Sequence, residues 1–344
     1  MDTDELFMQR CLDLASNGKQ DVAPNPLVGA VIVHQGDIIG EGYHQFYGGA
    51  HAEVNAVQAV ADSNLLKDST IYVNLEPCAH FGKTPPCVDL IIEKQFKRVV
   101  IGSLDPHDQV AGKGIEKLRK NNIEVKVGVL EDACLKLNKR FFTFHQKQRP
   151  YVVLKWAETQ DGFMDVIRDS AEAKINWISA PETKVLVHQW RSEEQAILVG
   201  WKTINNDNPS LTVREVVGKN PTRVILDGDL KCDLKATIFQ DGIKTIIFNL
   251  LKSETVNHVE YIQLPKLDTA SILKALYKLN IISVFVEGGS KTLQHFIADQ
   301  NWDEARVIVG KNKFEVGIKA PKIAGIPVNS FEFAGDKIYQ FEQK

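Results

Sequence analysis

Three residues of the types that bind transition metals lie in the first third of the chain. His51 opens the segment HAE, and Cys78 and Cys87 lie in PCAHFGKTPPC. One imidazole and two thiolates form a ligand set suited to zinc, and three protein ligands leave the fourth tetrahedral position for water. The two thiolates cancel the charge of Zn²⁺ and the imidazole is neutral, so the metal can still favour bound hydroxide over water. The pattern therefore predicts a catalytic zinc centre, with a structural zinc site as the alternative.

A carboxylate follows the candidate histidine ligand two positions later. Glu53 need not bind the metal, and from there it can take a proton from water and pass it to a ring nitrogen and then to a leaving amine. The combination of H-x-E with a downstream P-C and a second cysteine is typical of zinc-dependent nucleobase deaminases. Glu53 is therefore the predicted catalytic residue. His80 is interpreted as a residue that lines the site and not as a fourth ligand.

The candidate ligands lie at the ends of predicted helices and strands. Apolar patterns predict helices over residues 5–15, 51–61, 86–94, 114–120 and 131–145 and strands over residues 27–33, 70–75, 98–102 and 124–129. His51 and Cys87 then lie near helix N-termini, whose partial positive charge favours a thiolate. Strands separated by helices of this length indicate a largely parallel sheet that is covered on both faces.

The polar run QKQRP, which closes with Pro150, marks the predicted domain boundary. Beyond it, the patterns predict strands over residues 151–156, 196–199, 223–227, 245–248, 282–286 and 306–309 and helices over residues 181–190, 269–278 and 292–298. This half is again of the α/β class. No G-x-G-x-x-G follows a strand, but small residues in VEGGS lie between a predicted strand and helix, where backbone N–H groups can approach a phosphate closely.

The composition limits the classes of protein to which the chain can belong. It has 344 residues, 41 Lys and Arg against 44 Asp and Glu, a net charge of −3 and 44% hydrophobic residues. These values exclude a disordered, collagen-like or coiled-coil chain, and the near-neutral charge argues against a nucleic-acid-binding protein. No apolar run approaches the roughly 18 residues that cross a bilayer, and the start MDTDELFMQR lacks the features of a signal peptide. We expect a soluble, cytoplasmic, two-domain enzyme that binds neither nucleic acid nor a membrane.

The segment VNLEPCAHFGKTPPC, with HAE and NPLVGAVIV upstream, resembles the deaminase half of the bifunctional deaminase–reductases of riboflavin biosynthesis. The long cysteine spacing separates it from the P-C-x-x-C of cytidine and tRNA adenosine deaminases. The resemblance implies a cytidine-deaminase-like three-layer fold for residues 1–145. The implied substrate is the pyrimidine ribotide 2,5-diamino-6-(5-phosphoribosylamino)pyrimidin-4(3H)-one, whose 2-amino group leaves as ammonia in a zinc-dependent hydrolysis. The resemblance also implies substrate-binding roles for Asn25, Lys83 and Asp105.

Three segments of the second half resemble the reductase half of the same family: KWAETQDGF, the stretch from ISAPETK to NPSLTVR, and VEGGSKTL. They imply a dihydrofolate-reductase-like fold for residues 150–344, which uses NADPH to reduce the ribosyl group of 5-amino-6-(5-phosphoribosylamino)uracil to ribityl. The implied cofactor positions are Ala157, Trp177, Thr203, Asp207, Gly289, Ser290, Lys291 and Thr292. The implied substrate positions are Arg191, Leu211, Arg214 and Glu287. Lys155, near the end of a predicted strand, is a candidate proton donor or phosphate contact.

The second half departs from the family pattern in a segment that bears on its activity. The family has a short Gly-Ser-rich stretch where this chain has FMDVIRDSAEAKINW, and a substrate-binding serine falls at Ile175, whose side chain cannot form a hydrogen bond. The predicted protein is a bifunctional zinc-dependent deaminase and NADPH-dependent reductase that forms a homo-oligomer, a dimer or tetramer. The alternatives are a deaminase with a degenerate reductase half, a zinc-stabilised non-catalytic nucleotide-binding protein, and a tRNA or DNA deaminase. The net charge and the cysteine spacing disfavour the last.

Overall fold

Helices and strands alternate along both halves of the chain in the computed structural model, which describes residues 2–79, 81, 85–106, 112–167 and 175–343. The chain divides into two compact units, Met1–Gln148 (unit 1) and Arg149–Lys344 (unit 2). His80 and Lys83 fall outside the described residues. Within the described ranges, no helix is both long enough and apolar enough to span a membrane.

Unit 1 has a five-stranded sheet with helices on both of its faces. Its helices are α1 (Thr3–Ser16), α2 (Ala52–Gln58), α3 (Cys87–Glu93), α4 (Lys113–Lys120), α5 (Glu131–Leu137) and α6 (Lys139–Lys147), and its strands are β1 (Gly29–His34), β2 (Asp37–Tyr43), β3 (Thr70–Leu75), β4 (Arg98–Ser103) and β5 (Glu124–Val127). The strand order is β2-β1-β3-β4-β5. β1 is antiparallel to both of its neighbours, whereas β3, β4 and β5 are parallel.

Successive residues of the central strands face opposite helical layers. Ile32 of β1 and Ile71 of β3 pack against α2, α3 and α4, whereas Val31 and Tyr72 pack against α1 and α5. Side chains of a strand point alternately to the two faces of the sheet, so a continuous apolar strand supplies both layers. This arrangement confirms the three-layer α/β fold that the resemblance implies for this half.

Unit 2 is built on a ten-stranded sheet. Its strands are β6 (Tyr151–Glu158), β7 (Phe163–Asp165), β8 (Ala196–Gly200), β9 (Thr222–Leu226), β10 (Thr245–Asn249), β11 (Glu254–Val256), β12 (Val259–Gln263), β13 (Ser283–Val286), β14 (Glu304–Val309), β15 (Ile318–Lys319), β16 (Asn329–Phe333) and β17 (Asp336–Glu342), and its helices are α7 (Thr183–Ser192), α8 (Trp201–Asp207), α9 (Thr269–Lys278) and α10 (Ser290–Ala298). The order in the large sheet is β11-β12-β10-β9-β8-β13-β6-β14-β17-β16, and β15 pairs with β7. The seven strands from β12 to β14 in that order are parallel to one another.

The central strands of unit 2 are also buried on both faces. Val152 and Leu154 of β6 pack with the cluster that contains α9 and α10, whereas Tyr151 and Val153 pack with α7. Since β8, β13 and β6 are adjacent and parallel, the segments that follow them leave the same edge of the sheet. In such sheets, ligands bind outside the carboxyl ends of the strands.

Two hairpins that the sequence analysis did not predict complete the two sheets. β1 turns into β2 through Gln35 and Gly36, with φ values of 52° and 95°, and β16 turns into β17 through Ala334 and Gly335, with φ values of 51° and 81°. Positive φ at both central residues is typical of two-residue hairpin turns. Because of the first hairpin, the sheet of unit 1 is mixed, which corrects the expectation of a largely parallel one.

The predicted helix over residues 131–145 is two helices, α5 and α6, that meet at Asn138. The Asn138 side chain turns to the backbone of Leu27, accepting from its N–H at 2.8 Å and donating to its carbonyl oxygen at 2.9 Å. An asparagine that bonds to a backbone in this way competes with a continuous helix. The break therefore connects the helical layer to the segment that precedes β1.

Candidate active sites

The three candidate zinc ligands of unit 1 lie at the ends of three elements. His51 immediately precedes α2, Cys78 lies in the segment after β3, and Cys87 is the first residue of α3. Two of the three therefore lie at helix N-termini, where unpaired backbone N–H groups favour a thiolate.

The donor atoms of these residues are as close together as the ligands of one metal ion. The Nδ1 atom of His51 lies 3.2 Å from the Sγ atom of Cys87 and 3.6 Å from that of Cys78, and all three donors lie within 4.8 Å of one another. A tetrahedral zinc ion, with Zn–N of about 2.05 Å and Zn–S of about 2.3 Å, separates such donors by about 3.6 Å. The three residues therefore fit zinc. Among the described residues, no fourth His, Cys, Asp or Glu belongs to the group.

The surroundings of the two thiols favour a thiolate at one of them. A hydrogen bond from Cys87, helped by His51 and opposed by burial, lowers the pKa of Cys78. The backbone N–H of Cys87 also donates to the Cys78 sulfur at 3.3 Å. The hydrogen bond to Cys78, together with burial, raises the pKa of Cys87. Because a cysteine binds metal as a thiolate, zinc has one thiol proton to displace from this pair.

Glu53 lies in the first turn of α2 with only 3% of its surface exposed. Burial and the neighbouring Cys78 sulfur raise the pKa of its carboxyl group, and His51 opposes them. A raised pKa makes a carboxyl group a better proton acceptor, which suits a group that must take up a proton and then release it. The position and environment of Glu53 therefore suit the proton carrier that the sequence predicts.

Asn25 reaches this site through His44, which the sequence analysis did not consider. The Asn25 amide nitrogen lies 3.0 Å from Nε2 of His44, and Nδ1 of His44 lies 3.0 Å from the carbonyl oxygen of Ala50. An amide NH₂ can only donate, so Nε2 is the acceptor and Nδ1 carries the proton. The rings of His44 and His51 meet edge to face, with centroids 5.7 Å apart. Asn25 is therefore oriented beside the zinc ligands.

Asp105 lies in the segment that follows β4, and Cys78 lies in the segment that follows β3. Leu75 of β3 pairs with Ser103 of the parallel strand β4, so both segments leave the same edge of the sheet. The structure therefore places the predicted substrate residue Asp105 on the same side of the sheet as the zinc ligands. Lys83, the third predicted substrate residue of this half, falls outside the described residues.

Unit 2 has a cavity of about 550 Å³ at the carboxyl ends of its parallel strands. Its lining includes the predicted residues Thr203, Asp207, Glu287, Gly289, Ser290, Lys291 and Thr292. Gly289, at a φ of 39°, precedes the first turn of α10, and a Cβ atom on Gly288 would lie 2.4 Å from Cα of Val199. The glycines therefore allow α10 to begin directly above β8, as close approach to a phosphate requires.

Two predicted cofactor residues are not among those that line the cavity. Ala157 lies in β6 and packs against the apolar cluster beneath α7. Trp177 is 53% exposed, and the Nζ atom of Lys184 lies 3.6 Å from the centroid of its ring. The structure therefore places Trp177 on the surface in a cation–π contact.

Ile175, where the family has a serine, lines the cavity beside a residue that can form hydrogen bonds. Asn176 also lines the cavity, and its amide donates to a carboxylate oxygen of Asp165 at 2.9 Å. The polar group missing at position 175 is therefore available from the next residue.

The carboxylate of Glu287 lies between two cationic side chains, Arg191 and Lys155, that come from distant parts of the chain. Arg191 donates to both of its carboxylate oxygens, at 2.9 and 3.1 Å, and the Nζ atom of Lys155 lies 3.7 Å away. Burial lowers the pKa of Lys155, and the two cations lower that of Glu287 against the effect of burial. One carboxylate between two cations leaves one positive charge, which suits an anionic group of a substrate.

The segment with the other two predicted substrate residues, Leu211 and Arg214, is held by α7. Arg191 donates to the carbonyl oxygen of Thr212 at 2.7 Å, and Nδ1 of His188 accepts from the backbone N–H of Arg214 at 2.9 Å. Burial, with Arg191 and Arg214, lowers the pKa of His188 to about 4, so its ring is a neutral acceptor at physiological pH. Leu211, in the same segment, is buried in the core and has a φ of 54°.

Arg223 holds the same segment from the sheet side, and sequence reasoning missed it. It lies in β9 with no exposed surface, donates to the carbonyl oxygen of Ser210 at 2.6 Å and pairs with Asp241 at 2.5 Å. A charge in the apolar strand TRVIL is the signal that could have revealed it, since arginine is almost never fully buried unless it is paired.

Two family models match the chain. The model for the cytidine and deoxycytidylate deaminase zinc-binding region matches residues 1–103, and that for the RibD C-terminal domain matches residues 150–311. The riboflavin biosynthesis protein RibD of Aquifex aeolicus is 40% identical over 329 residues, which cover 94% of this chain and 88% of the relative. RibD of Escherichia coli is 34% identical over 305 residues, 83% of this chain and 82% of the relative.

Solved structures agree over the whole chain. A crystal structure of a diaminohydroxyphosphoribosylaminopyrimidine deaminase/5-amino-6-(5-phosphoribosylamino)uracil reductase from Thermotoga maritima has a TM-score of 0.88 at 38% identity and covers 99% of this chain and 98% of its own. Acinetobacter baumannii RibD has the same TM-score and coverage at 30% identity. The chain therefore belongs to the RibD family of bifunctional riboflavin-biosynthesis enzymes, which join a zinc-binding deaminase to a reductase.

Proposed function

We propose that the two activities divide along the chain, with hydrolytic deamination in residues 1–145 and NADPH-dependent reduction in residues 150–344. The first substrate is then 2,5-diamino-6-(5-phosphoribosylamino)pyrimidin-4(3H)-one, and the deaminated product is the substrate of the reductase. The single observation that carries the proposal is the cluster of His51, Cys78 and Cys87 beside the buried Glu53. The cavity of unit 2 supports the second assignment.

In the deaminase, the chain's own residues supply proton transfer and orientation. Zinc held by the three ligands would lower the pKa of a bound water and so supply a nucleophile at neutral pH. Glu53 carries one proton of the attacking water to the ring nitrogen and then carries the second to the leaving amine. Asn25, oriented by His44, pairs with an edge of the pyrimidine through one donor and one acceptor. The reaction consumes one water, releases ammonia and leaves a carbonyl on the ring.

In the reductase, NADPH held in the cavity would supply a hydride to C1′ of the ribosyl group. The bond between C1′ and the ring oxygen breaks, and that oxygen takes a proton, which we assign to Lys155. Glu287, which lines the cavity and is bound by Arg191, lies 3.7 Å from the Nζ atom of Lys155. Arg191 is buried and donates to Glu287 and Thr212, whereas Arg214 is exposed and donates through Nη1 to the hydroxyls of Ser210 and Thr212, so we assign the substrate phosphate to Arg214 because of its exposure.

We place NADPH in the cavity lined by Thr203, Asp207 and residues 289–292. The fit rests on the glycines that let α10 begin beside β8 and on the backbone N–H groups at the start of that helix. The roles of Ala157, Trp177 and Leu211 stay predictions.

We also propose a cytoplasmic location and a homo-oligomeric state, a dimer or tetramer, with neither nucleic acid nor a membrane as partner. The thiolates of Cys78 and Cys87 must stay reduced to bind zinc, and the cytosol maintains that state. Val316, Ile326 and Val328 are all more than half exposed in the single chain, as residues of a subunit interface would be. Cell fractionation and light scattering test these two statements.

The decisive experiment gives the zinc-loaded protein the diaminopyrimidinone ribotide, with and without NADPH, and identifies products by mass spectrometry. Without NADPH, we expect the exchange of one amino group for oxygen and the release of ammonia. With NADPH, the product should gain two hydrogen atoms as absorbance of the reduced nicotinamide falls. A substrate that stays unchanged in both arms would overturn the proposal.

A deaminase with a degenerate reductase half is the second candidate, and Ile175 at the cavity is the observation that favours it. It predicts deamination without any oxidation of NADPH. Replacing Ile175 with serine would then restore reduction, whereas a reductase that uses Asn176 for the same contact would lose activity in Asn176→Ala.

A further inference from the structure

Glu76 lies between β3 and the zinc ligand Cys78, and only 4% of its surface is exposed. One carboxylate oxygen accepts hydrogen bonds from the backbone N–H groups of Asp105, at 3.4 Å, and Gly112, at 3.0 Å. The other accepts from the backbone N–H of Gly114 at 3.2 Å. A buried carboxylate is costly unless it is paired or hydrogen-bonded, and here main-chain donors of a single segment fill both oxygens.

These donors stand at the two ends of the loop that joins β4 to α4. Asp105 is the second residue after β4 and Gly112 directly precedes α4, and both backbone N–H groups meet at the same oxygen of Glu76. Residues 107–111 between them fall outside the described residues. Holding two ends of a loop together costs conformational entropy, which the charge-assisted hydrogen bonds offset. The segment of the zinc ligand Cys78 is thereby tied to the segment of the predicted substrate residue Asp105.

The same carboxylate completes the N-terminus of α4. The residue at the N-cap is Gly112, at a φ of 76°, and it has no side chain that could cap the helix. The first N–H groups of a helix have no partner inside it, and a negative charge there is stabilising. Glu76 therefore supplies, from the neighbouring segment, the cap that α4 lacks.

Glycine at position 114 is part of this arrangement. A Cβ atom on Gly114 would lie 2.8 Å from the carbonyl oxygen of Pro77 and 3.2 Å from the Glu76 carboxylate. Any side chain would push α4 away from the segment of the zinc ligand. The close approach of the two segments thus depends on Gly114 as well as on Glu76.

We propose that Glu76 is a positioning residue of the deaminase, which holds the Asp105 loop against the zinc-ligand segment and so sets affinity for the pyrimidine ribotide. It acts through the loop, since both of its oxygens are taken up by backbone N–H groups. The inference rests on the assignment of deamination to unit 1.

The test is Glu76→Gln, which keeps the shape of the side chain but removes its charge and turns an NH₂ group toward backbone N–H donors. The loss of hydrogen bonds to a charged group corresponds to a rise in KM for the ribotide of about ten- to a hundredfold. We expect the deaminase kcat to change far less and zinc content to stay at one per chain. Reductase activity of the same chain, measured with the deaminated ribotide as substrate, should be unchanged. Glu116→Gln, an exposed glutamate on α4, is the matched control.

Hydrogen exchange gives a readout that does not depend on activity. The amides of residues 114–116 should exchange faster in Glu76→Gln than in Glu116→Gln, because the start of α4 has lost its cap. Gly114→Ala, which leaves the carboxylate in place, should raise the same KM, and it tests the proposal if Glu76→Gln does not fold.

Three results would overturn the proposal. The first is an unchanged KM in a folded Glu76→Gln or Gly114→Ala variant. The second is a fall in kcat in proportion to lost zinc, which would mean that Glu76 supports the metal ligands and not the substrate loop. The third is unchanged exchange at the start of α4. Wild-type protein that fails to deaminate would instead refute the proposed function.

Discussion

Replacing Glu53 with glutamine separates proton transfer from the other properties of the deaminase site. Glutamine has nearly the same shape as glutamate but cannot take up and release a proton in this pH range. His51, Cys78 and Cys87 keep their positions, so the variant should bind zinc as the wild type does. Only the group that carries the proton is lost.

The magnitude follows from the role and the burial of Glu53. A positioned general acid–base contributes about 10²- to 10⁴-fold, which is about 2.7–5.4 kcal/mol of transition-state stabilisation. Burial raises the pKa of Glu53, so the folded pKa lies above the unfolded one and the charged form destabilises the fold at pH values above the unfolded pKa. Glutamine removes that cost. Zinc-free Glu53→Gln should therefore be at least as stable as the wild type at neutral pH, and the difference should vanish in acid.

The assay measures ammonia release with the diaminopyrimidinone ribotide as substrate and, separately, NADPH oxidation by the same chain with the deaminated ribotide supplied as substrate. We expect a deaminase kcat lowered at least about a hundredfold, with zinc content and reductase rate unchanged and resistance to urea at least equal to that of the wild type. Glu116→Gln, an exposed glutamate of the same unit, controls for loss of a carboxylate as such. A Glu53→Gln variant that deaminates within a few-fold of the wild type would refute the reasoning, as would a loss of rate explained by unfolding.

Three further predictions concern stability, the reductase and the metal. Arg98 lowers the pKa of Asp4, so the pKa of this carboxyl group in the folded protein lies below its value in the unfolded chain. Asp4→Asn should therefore lower the free energy of unfolding by about 2 kcal/mol at pH 7. Urea titrations should show this difference disappearing as the pH falls below 4. Arg223→Met leaves the Ser210 carbonyl oxygen without its hydrogen-bond donor. The reductase KM for the ribotide should rise about tenfold, while deaminase activity is unchanged. Equal losses in both activities would contradict a local role for Arg223. A chelator should abolish ammonia release from the diaminopyrimidinone ribotide, and added zinc should restore it, whereas NADPH oxidation with the deaminated ribotide supplied as substrate should be unaffected; loss of both activities in these separate assays would show that zinc supports more than the deaminase.

The candidate catalytic groups that come together in unit 1 could be predicted from the sequence because each is tied to a local element. His51 and Glu53 share the start of one helix, and the segment with Cys78 and Cys87 runs from one strand to the next helix. Such short-range patterns determine both the type of element and the face on which the side chain lies. The same holds for Gly289, where small residues between a strand and a helix pointed to the cavity.

The hairpins show where local reasoning stopped. Gln35 and Gly36, and Ala334 and Gly335, were not predicted to form two-residue turns. The strands that pair through these turns, β2 and the C-terminal strands, were therefore not predicted either. Gly at the second turn position was a usable signal, but the residues before it are not ones that favour a positive φ. Pairing with the neighbouring strand stabilises these turns.

What the sequence determined by itself is the candidate chemistry: three residues that fit zinc, a proposed proton carrier beside them and the glycines beside the cavity of unit 2. What only the tertiary structure decided is how the loops around that chemistry are held. Glu76 meets Gly112, and Arg223 meets Ser210, through hydrogen bonds between a side chain and a backbone. Every residue has a backbone carbonyl group, and every residue but proline has a backbone N–H group. The side chain of the partner residue therefore does not reveal the contact. Only the folded structure shows which backbone N–H or carbonyl group forms a hydrogen bond with each buried charged side chain.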